Sequence, residues 1–304
     1  MLFLTQTIQR DSSISFPMLG DFSINPPSFF TVFGKNIYFY GVIIAFAFLL
    51  GVVYCAKNSK KYGLSEDDVY DIFLWLMPLS IVGARIYYVL FKLDYYKAHP
   101  DEIFAVWEGG LAIYGGIIVG VLVIILVSRR KKIPAAAAFD LFICACILGQ
   151  AIGRWGNFMN REAFGAETGI FCRMGLTDPN GTTIYVHPTF LYESFWNLLG
   201  FVFLTLFVRK GKRKYDGQCI LIYCLWYGLG RAWIEGLRTD SLYIGSTSLR
   251  VSQLLSIILA LFGAVMLFIF SKRQMPPVYA DTIRQNTVQS EELSEDETPD
   301  KGDN

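Results

Sequence analysis

Three arginines stand where arginine is costly. Arg154 follows the apolar run from Ala135 to Ile152, Arg85 follows the apolar run that begins at Val69, and Arg231 lies within Ile220 to Ile234. On insertion scales an arginine inside a membrane span costs roughly 2.5–3.5 kcal/mol. Its presence in three runs of that kind implies a function that requires it. A guanidinium stays charged at low dielectric, and its planar fork of N–H donors matches phosphate oxygens in bidentate fashion. The chemistry these residues suit is capture of an anion, a phosphate above all, at membrane depth.

Spacing adds polar company. Tyr227, Arg231, Glu235 and Arg238 follow one another at four, four and three residues, which places them on one helical stripe. Arg154, Asn157 and Arg161 share a face if their helix continues that far, and Arg85 and Tyr88 lie one turn apart. Each group also has a plainer reading. Arg231 with Glu235 suits an internal ion pair that holds helices together. Arg85 suits snorkelling to an interface. Asn157 and Asn160 suit a helix end, and His187-Pro188 suits a turn before the fifth apolar segment. Convergence of several such groups at one depth favours a site over a set of unrelated structural residues.

The elements that must carry them read as membrane helices. The chain is 53% hydrophobic and only 17% charged, too little charge for a soluble domain of 304 residues. Seven apolar segments approach the roughly 20 residues that cross a bilayer. They are about Ile37–Ala56, Val69–Phe91, Ile103–Val127, Pro134–Gly153, Thr189–Val208, Gln218–Glu235 and Val251–Phe270. Basic clusters follow the first (Lys57, Lys60, Lys61), third (Arg129, Arg130, Lys131, Lys132), fifth (Arg209, Lys210, Lys212, Arg213, Lys214) and seventh (Lys272, Arg273). The positive-inside rule makes that side cytoplasmic. At 1.5 Å per residue, Arg85, Arg154 and Arg231 then lie roughly 24, 30 and 20 Å from the cytoplasmic ends of their helices, in the outer half of the bilayer. Tyr40 shares that layer, and Tyr114 lies nearer the midplane.

The expected fold is therefore all-α: a polytopic membrane bundle of seven transmembrane helices with a small extracytoplasmic cap, N-terminus outside and C-terminus inside. Residues 1–36 read as an extracytoplasmic interfacial arm. Residues 37–273 read as the transmembrane domain, with a cap loop over 160–188. The acidic, proline-bearing stretch 274–304 reads as a disordered cytoplasmic tail. The glycines Gly149, Gly153 and Gly156 form a small-residue stripe, and Gly109, Gly110, Gly115 and Gly116 interrupt the third segment.

Other chemistries find no support. No basic face alternates with aromatics, so nucleic acid is not an expected partner. The chain has two histidines, His99 and His187, and no HExxH or GxSxG motif; Asp140 stands nearly alone among the spans. Neither a metal nor a cofactor is expected. Five of the six cysteines fall in apolar segments and read as small packing residues; Cys172 lies in the polar loop. The N-terminus lacks the basic start, apolar core and small-residue cleavage site of a secretory signal.

The run Gly153-Arg154-Trp155-Gly156-Asn157-Phe158-Met159-Asn160-Arg161-Glu162, followed by Gly165, resembles the signature of the bacterial prolipoprotein diacylglyceryl transferase family. Tyr40-Gly41, then Gly83, Arg85 and Tyr88, Trp107 through Gly116, Asp140, His187-Pro188 with Leu191-Tyr192-Glu193, and Tyr227 through Arg238 resemble the family's other motifs in order. The resemblance implies transfer of the diacylglyceryl group of phosphatidylglycerol to the lipobox cysteine of a prolipoprotein signal peptide, with release of glycerol phosphate. It implies Arg154 and Arg231 as phosphate clamps, Asn157 as a further hydrogen-bond donor, and Glu162 and Glu235 as residues that orient the arginines. Arg85, Tyr227, Arg238 and His187 complete the expected substrate contacts, and Tyr114 or Tyr40 positions the thiol or relays its proton. Two positions depart from the pattern. Tyr114 stands where well-studied members carry histidine, so a histidine base in the third helix is not assumed, and Phe190 stands where glutamine is common. The alternative from another class is a transporter or flippase for an anionic lipid or solute. The absence of an internal repeat and the placing of charge toward one face favour an enzyme.

Overall fold

A computed structural model describes residues 12–20, 22–239, 243 and 250–296. Eight long helices run through it: α1 (Phe39–Asn58), α2 (Glu66–Phe91), α3 (Ile113–Lys131), α4 (Ala135–Asn160), α5 (Thr189–Arg209), α6 (Gln218–Glu235), α7 (Val251–Lys272) and α8 (Tyr279–Asp296). Six short strands accompany them: β1 (Ser13–Ser15), β2 (Ser23–Ile24), β3 (Phe29–Val32), β4 (Lys35–Tyr38), β5 (Met174–Thr177) and β6 (Thr183–Val186).

Among the described residues, six helices are long and apolar enough to cross a membrane, not seven: α1 to α5 and α7. The chain is a multi-pass membrane protein, but α6 falls short. Its 18 residues include Gln218, Arg231 and Glu235, and Tyr223, Trp226, Tyr227 and Trp233 dilute the apolar remainder. The residues that make this helix chemically interesting lower its hydropathy. The odd number of crossings inferred from the basic loops therefore does not hold, and the termini cannot be assigned to opposite sides on that count. The all-α expectation is corrected as well, since the cap contains a sheet.

The chain divides into two compact units. The first contains the cap, the start of α1 through Gly51, α4 from Ile143, and α5, α6 and α7. Its cap is a four-stranded antiparallel sheet in the order β2-β1-β5-β6, around a core of Ile14, Met174, Leu176, Val186 and Phe190. The N-terminal arm thus supplies an inner strand rather than lying apart, with Ile14 opposite Leu176. Strands of two to four residues carry too little alternation to be read from sequence. Arg161, 2% exposed, ties the arm to the end of α4. Its guanidinium donates to the Ser12 carbonyl (3.0 Å), the Met159 carbonyl (2.6 Å), Asn25 Oδ1 (2.5 Å) and Ser28 Oγ (3.3 Å).

The second unit contains the end of α1, α2, α3, the start of α4 and α8. Helix α2 opens with a capping box: Ser65 Oγ accepts from the Asp68 amide at 3.1 Å, and Asp68 Oδ2 accepts from the Ser65 amide at 2.9 Å. Helices α2 and α3 meet backbone to backbone at Gly83 and Gly115, where a Cβ on Gly83 would lie 2.9 Å from the Gly115 carbonyl oxygen. Lys131, at the end of α3, bridges Asp68 (2.9 Å) and Asp71 (2.5 Å) of α2. The third segment begins later than its apolarity suggests, at Ile113, because Gly109 and Gly110 take φ of 92° and 68° and break the helix. Asp140, fully buried, accepts from the Gly217 amide at 2.9 Å.

The segment expected to be a disordered tail is helical over Tyr279–Asp296. Val278 and Ala280 are buried, and the Tyr279 amide donates to Asp216 Oδ2 at 3.0 Å. Gly63, at φ 79°, leaves room for this junction, since a Cβ there would lie 2.7 Å from the Tyr279 ring. The buried Val278 and Ala280, just after Pro276-Pro277, hold the start of this helix. The rest of the tail, 297–304, and the first residues of the arm, 1–11, lie outside the described residues.

Candidate active site

In the first unit, α5 runs antiparallel to both α4 and α6. Trp155 Nε1 donates to Ser194 Oγ at 3.2 Å, and Ser194 Oγ donates to the Ala151 carbonyl at 2.8 Å. Further along, Gly200 packs against Ile147 of α4 and Trp226 of α6, where a Cβ would lie within 2.6 Å of each. Trp196 and Trp226 stack at 4.7 Å and exchange indole-to-carbonyl hydrogen bonds of 2.9 and 3.0 Å. These contacts fix the register that places one α5 side chain, Glu193, between the two arginine-bearing helices.

Glu193 is the hub. Arg154 Nη2 lies 2.5 Å from Glu193 Oε2, Arg231 Nη1 pairs with Glu193 Oε1, and Arg238 Nη1 is 3.8 Å from the same oxygen. Arg231 Nη2 also pairs with Glu235 Oε2 at 2.7 Å, one turn along α6. The carboxylate side chains are 4% and 3% exposed, whereas those of Arg154, Arg231 and Arg238 are 23%, 15% and 12% exposed. The acids are buried behind the bases. Three guanidiniums face these two carboxylates. Desolvated charges of this kind persist only when paired, and the positive members of the cluster are the ones that still reach solvent. The arrangement can bind an anion and stabilise negative charge that grows on it.

A second chain of polar groups runs outward from Arg154. Its Nη1 donates to Asn157 Oδ1 at 3.2 Å, and Asn157 Nδ2 donates to Glu162 Oε1 at 2.9 Å, which also accepts from Asn160 Nδ2 at 3.3 Å. Glu162 therefore orients the amide that orients Arg154. Tyr40, 38% exposed, packs its ring on Gly156, where a Cβ would lie 2.5 Å from Tyr40 Cδ2. Tyr227 stacks on Tyr223 at 5.3 Å and lines a small cleft with Glu193 and Arg231. His187 stands in the cap, its Nδ1 3.4 Å from the Tyr192 hydroxyl.

The structure brings together Arg154, Asn157, Glu162, Arg231, Glu235 and Arg238. Arg85 and Tyr114 belong to the second unit. Arg85 donates to the carbonyls of Ile103 (2.8 Å), Gly109 (2.8 Å), Gly110 (3.0 Å) and Glu102 (2.6 Å), with its guanidinium 5.3 Å from the Tyr96 ring centre. Tyr114 lies in the first turn of α3 and is 43% exposed, and its side chain makes no hydrogen bond to another described residue. Glu193 was not among the expected site residues. Its signal was present: an acid early in the apolar run Thr189–Val208 carries a cost like that of the arginines. Among the described residues no group of three or more His, Cys, Asp or Glu side chains is placed to hold a metal ion.

The family model described as "Prolipoprotein diacylglyceryl transferase" matches residues 27–269. Proteins named phosphatidylglycerol–prolipoprotein diacylglyceryl transferase are similar along most of their length. That of Finegoldia magna is 43% identical over 244 residues, covering 80% of this chain and 95% of its own. That of Enterococcus faecalis is 44% identical over 256 residues, covering 81% and 90%. That of Lactiplantibacillus plantarum is 42% identical over 248 residues, covering 79% and 87%.

Proposed function

Because the chain belongs to the prolipoprotein diacylglyceryl transferase family, we propose that its paired arginines serve the transfer of a diacylglyceryl group from phosphatidylglycerol to the lipobox cysteine of a prolipoprotein. The thiol sulfur attacks the glycerol carbon that bears the phosphate. A carbon–sulfur bond forms and the carbon–oxygen bond to phosphate breaks. Glycerol phosphate departs with the bonding electron pair, and the thiol proton is released. Family membership removes the ground for the transporter reading.

The observation that carries the site assignment is the buried Glu193 held between the more exposed Arg154 and Arg231. As the carbon–oxygen bond breaks, a second negative charge develops on the phosphate. Arg154 and Arg231 meet that charge, and Arg238 adds to the field. Glu193 and Glu235 are positioning residues: they fix the guanidiniums before substrate arrives, so little reorganisation accompanies the reaction. Asn157 donates alongside Arg154, with Glu162 behind it. Tyr40, seated on Gly156, is assigned to positioning the thiol. Tyr114 and His187 are held as secondary contacts to the peptide, and Arg85 as a residue that acts through the loop it organises.

We place the reaction at the extracytoplasmic leaflet. Support comes from α5, which carries Glu193 in its first turns and ends at Arg209, where the basic cluster Arg209, Lys210, Lys212, Arg213 and Lys214 begins. The positive-inside rule sets that basic end in the cytoplasm and the site at the opposite face, where a translocated signal peptide presents its cysteine.

The test is mass spectrometry of a lipobox peptide incubated with purified protein and phosphatidylglycerol. A diacylglyceryl adduct on the cysteine is expected, and it disappears with Arg154→Ala. An adduct that survives Arg154→Ala discards the clamp. Well-folded wild-type protein that yields no adduct discards the activity.

A further inference from the structure

Behind the charged layer lies a neutral polar one. Gln150 precedes Arg154 by four residues on α4, Asn197 follows Glu193 by four on the antiparallel α5, and Tyr227 precedes Arg231 by four on α6. All three steps run the same way, about 6 Å along each helix and away from the cap. The result is a second tier in which amides and a phenol replace the ion pairs.

The tier is built but incompletely satisfied. Asn197 is 2% exposed and lines the cleft shared by Glu193, Tyr227 and Arg231. Gln150 Nε2 donates to the Tyr223 hydroxyl at 2.8 Å, while its Oε1 is buried without a partner. Reversing that amide lets Tyr223 donate to Oε1 and frees the N–H donors for another acceptor. A buried amide without a partner costs on the order of 1–3 kcal/mol. In apolar surroundings its natural complement is a neutral hydrogen-bonding group of a ligand. A charged ligand group already has its place one turn away.

We infer that Gln150, Asn197 and Tyr227 form a subsite for the fatty-acyl ester carbonyls of the lipid donor, so that the protein reads the ester linkage as well as the phosphate. The inference rests on the reading of the arginine cluster as the donor-phosphate site. In a glycerophospholipid the ester carbonyls follow the phosphate, a few ångströms toward the hydrocarbon. With the phosphate on Arg154 and Arg231, the carbonyls fall at the depth of this tier. Ester carbonyls are neutral acceptors and match the N–H groups of Asn197 and Gln150 and the O–H of Tyr227. A dialkyl ether lipid of the same headgroup and chain length offers the phosphate without the carbonyls.

The experiment compares dioleoyl phosphatidylglycerol with its dioleyl ether analogue as donors to a lipobox peptide, using the purified full-length protein. Wild type is expected to favour the diester by roughly tenfold in kcat/KM, the effect of one or two ordinary hydrogen bonds. Asn197→Leu is expected to lower the diester rate toward the diether rate without lowering the latter, so the ratio approaches one. The diether rate reports that the variant is folded. Gln150→Leu, on a different helix, repeats the test. Equal use of both lipids by wild type overturns the subsite. So does an equal loss with both lipids in both variants, which assigns the two amides to packing. Transfer from neither lipid removes the reading of the cluster itself, and the subsite with it.

Discussion

Arg85 and Arg231 both sit within long helices of a membrane protein, yet their guanidiniums hold different partners. Arg85 gives four hydrogen bonds to backbone carbonyls of residues 102–110 and lies 5.3 Å from the centre of an aromatic ring. Its charge is dispersed over dipoles and its donors are nearly used up. Arg231 faces two carboxylates, one of which it shares with Arg154 and Arg238. Carboxylates satisfy an arginine but can be partly displaced by a phosphate of like charge and geometry. Backbone carbonyls offer no such exchange. The two sets of partners suit different uses: carbonyls that brace a loop for Arg85, and exchangeable carboxylates, consistent with the proposed phosphate role, for Arg231.

The largest effect that would break this contrast belongs to Arg154. Arg154→Ala should lower kcat by at least about 10²–10³-fold, the effect of losing a preorganised group that meets developing charge, while membrane-inserted protein remains at wild-type levels. Glu193→Gln comes next. Loss of the shared carboxylate charge leaves Arg154 without its buried counterion and Arg231 with Glu235 alone, and the variant should lose about 3 kcal/mol or more of stability along with most of its kcat. Detergent-solubilised melting and a peptide transfer assay would separate the two losses. Asn157→Ala removes a neutral contact and should reduce kcat/KM by roughly 10-fold, measured with the same peptide. The smallest catalytic effect is expected of Arg85→Lys. An ammonium cannot span four carbonyls, so melting should fall by several degrees, while kcat per folded molecule changes by about twofold at most. An Arg85→Lys protein that melts normally but has lost its turnover would place Arg85 with the ligand-binding arginines and erase the contrast.

Much of this was legible in the chain because intramembrane charge is rare enough to read. Arg154, Arg231, Glu235 and Arg238 announce themselves by cost and spacing. Glu193 showed its cost but not its place, because its position between the arginines depends on the antiparallel register of α5, set by the Ser194–Ala151 bond and the Trp196–Trp226 stack; periodicity along one helix says nothing of register between two. The count of crossings went astray at α6, where chemistry and hydropathy compete for the same residues. The cap sheet escaped because Ser13–Ser15 alternates over only three residues, and its partner β5 lies far along the chain. Helix α8 escaped because Val278 and Ala280 are too few to change a composition, though enough to seat a helix against the glycine at position 63.

The clasp at Arg161 has a consequence for how the molecule is made. Its bond to Ser12 joins residues 149 positions apart, and β1 cannot meet β5 until Met174–Thr177 exists. A chain synthesised from its N-terminus therefore carries the arm through four long helices before the arm finds its place. Such distant closure is slow relative to local helix formation. The seal between arm and α4 is consequently a late event, and the turn that bears Asn157, Asn160 and Glu162 reaches its final setting only then. Of the clustered charges only Arg154 precedes the cap strands β5 and β6 in the chain; Glu193, Arg231 and Arg238 follow them, so the cap can close before the cluster is complete.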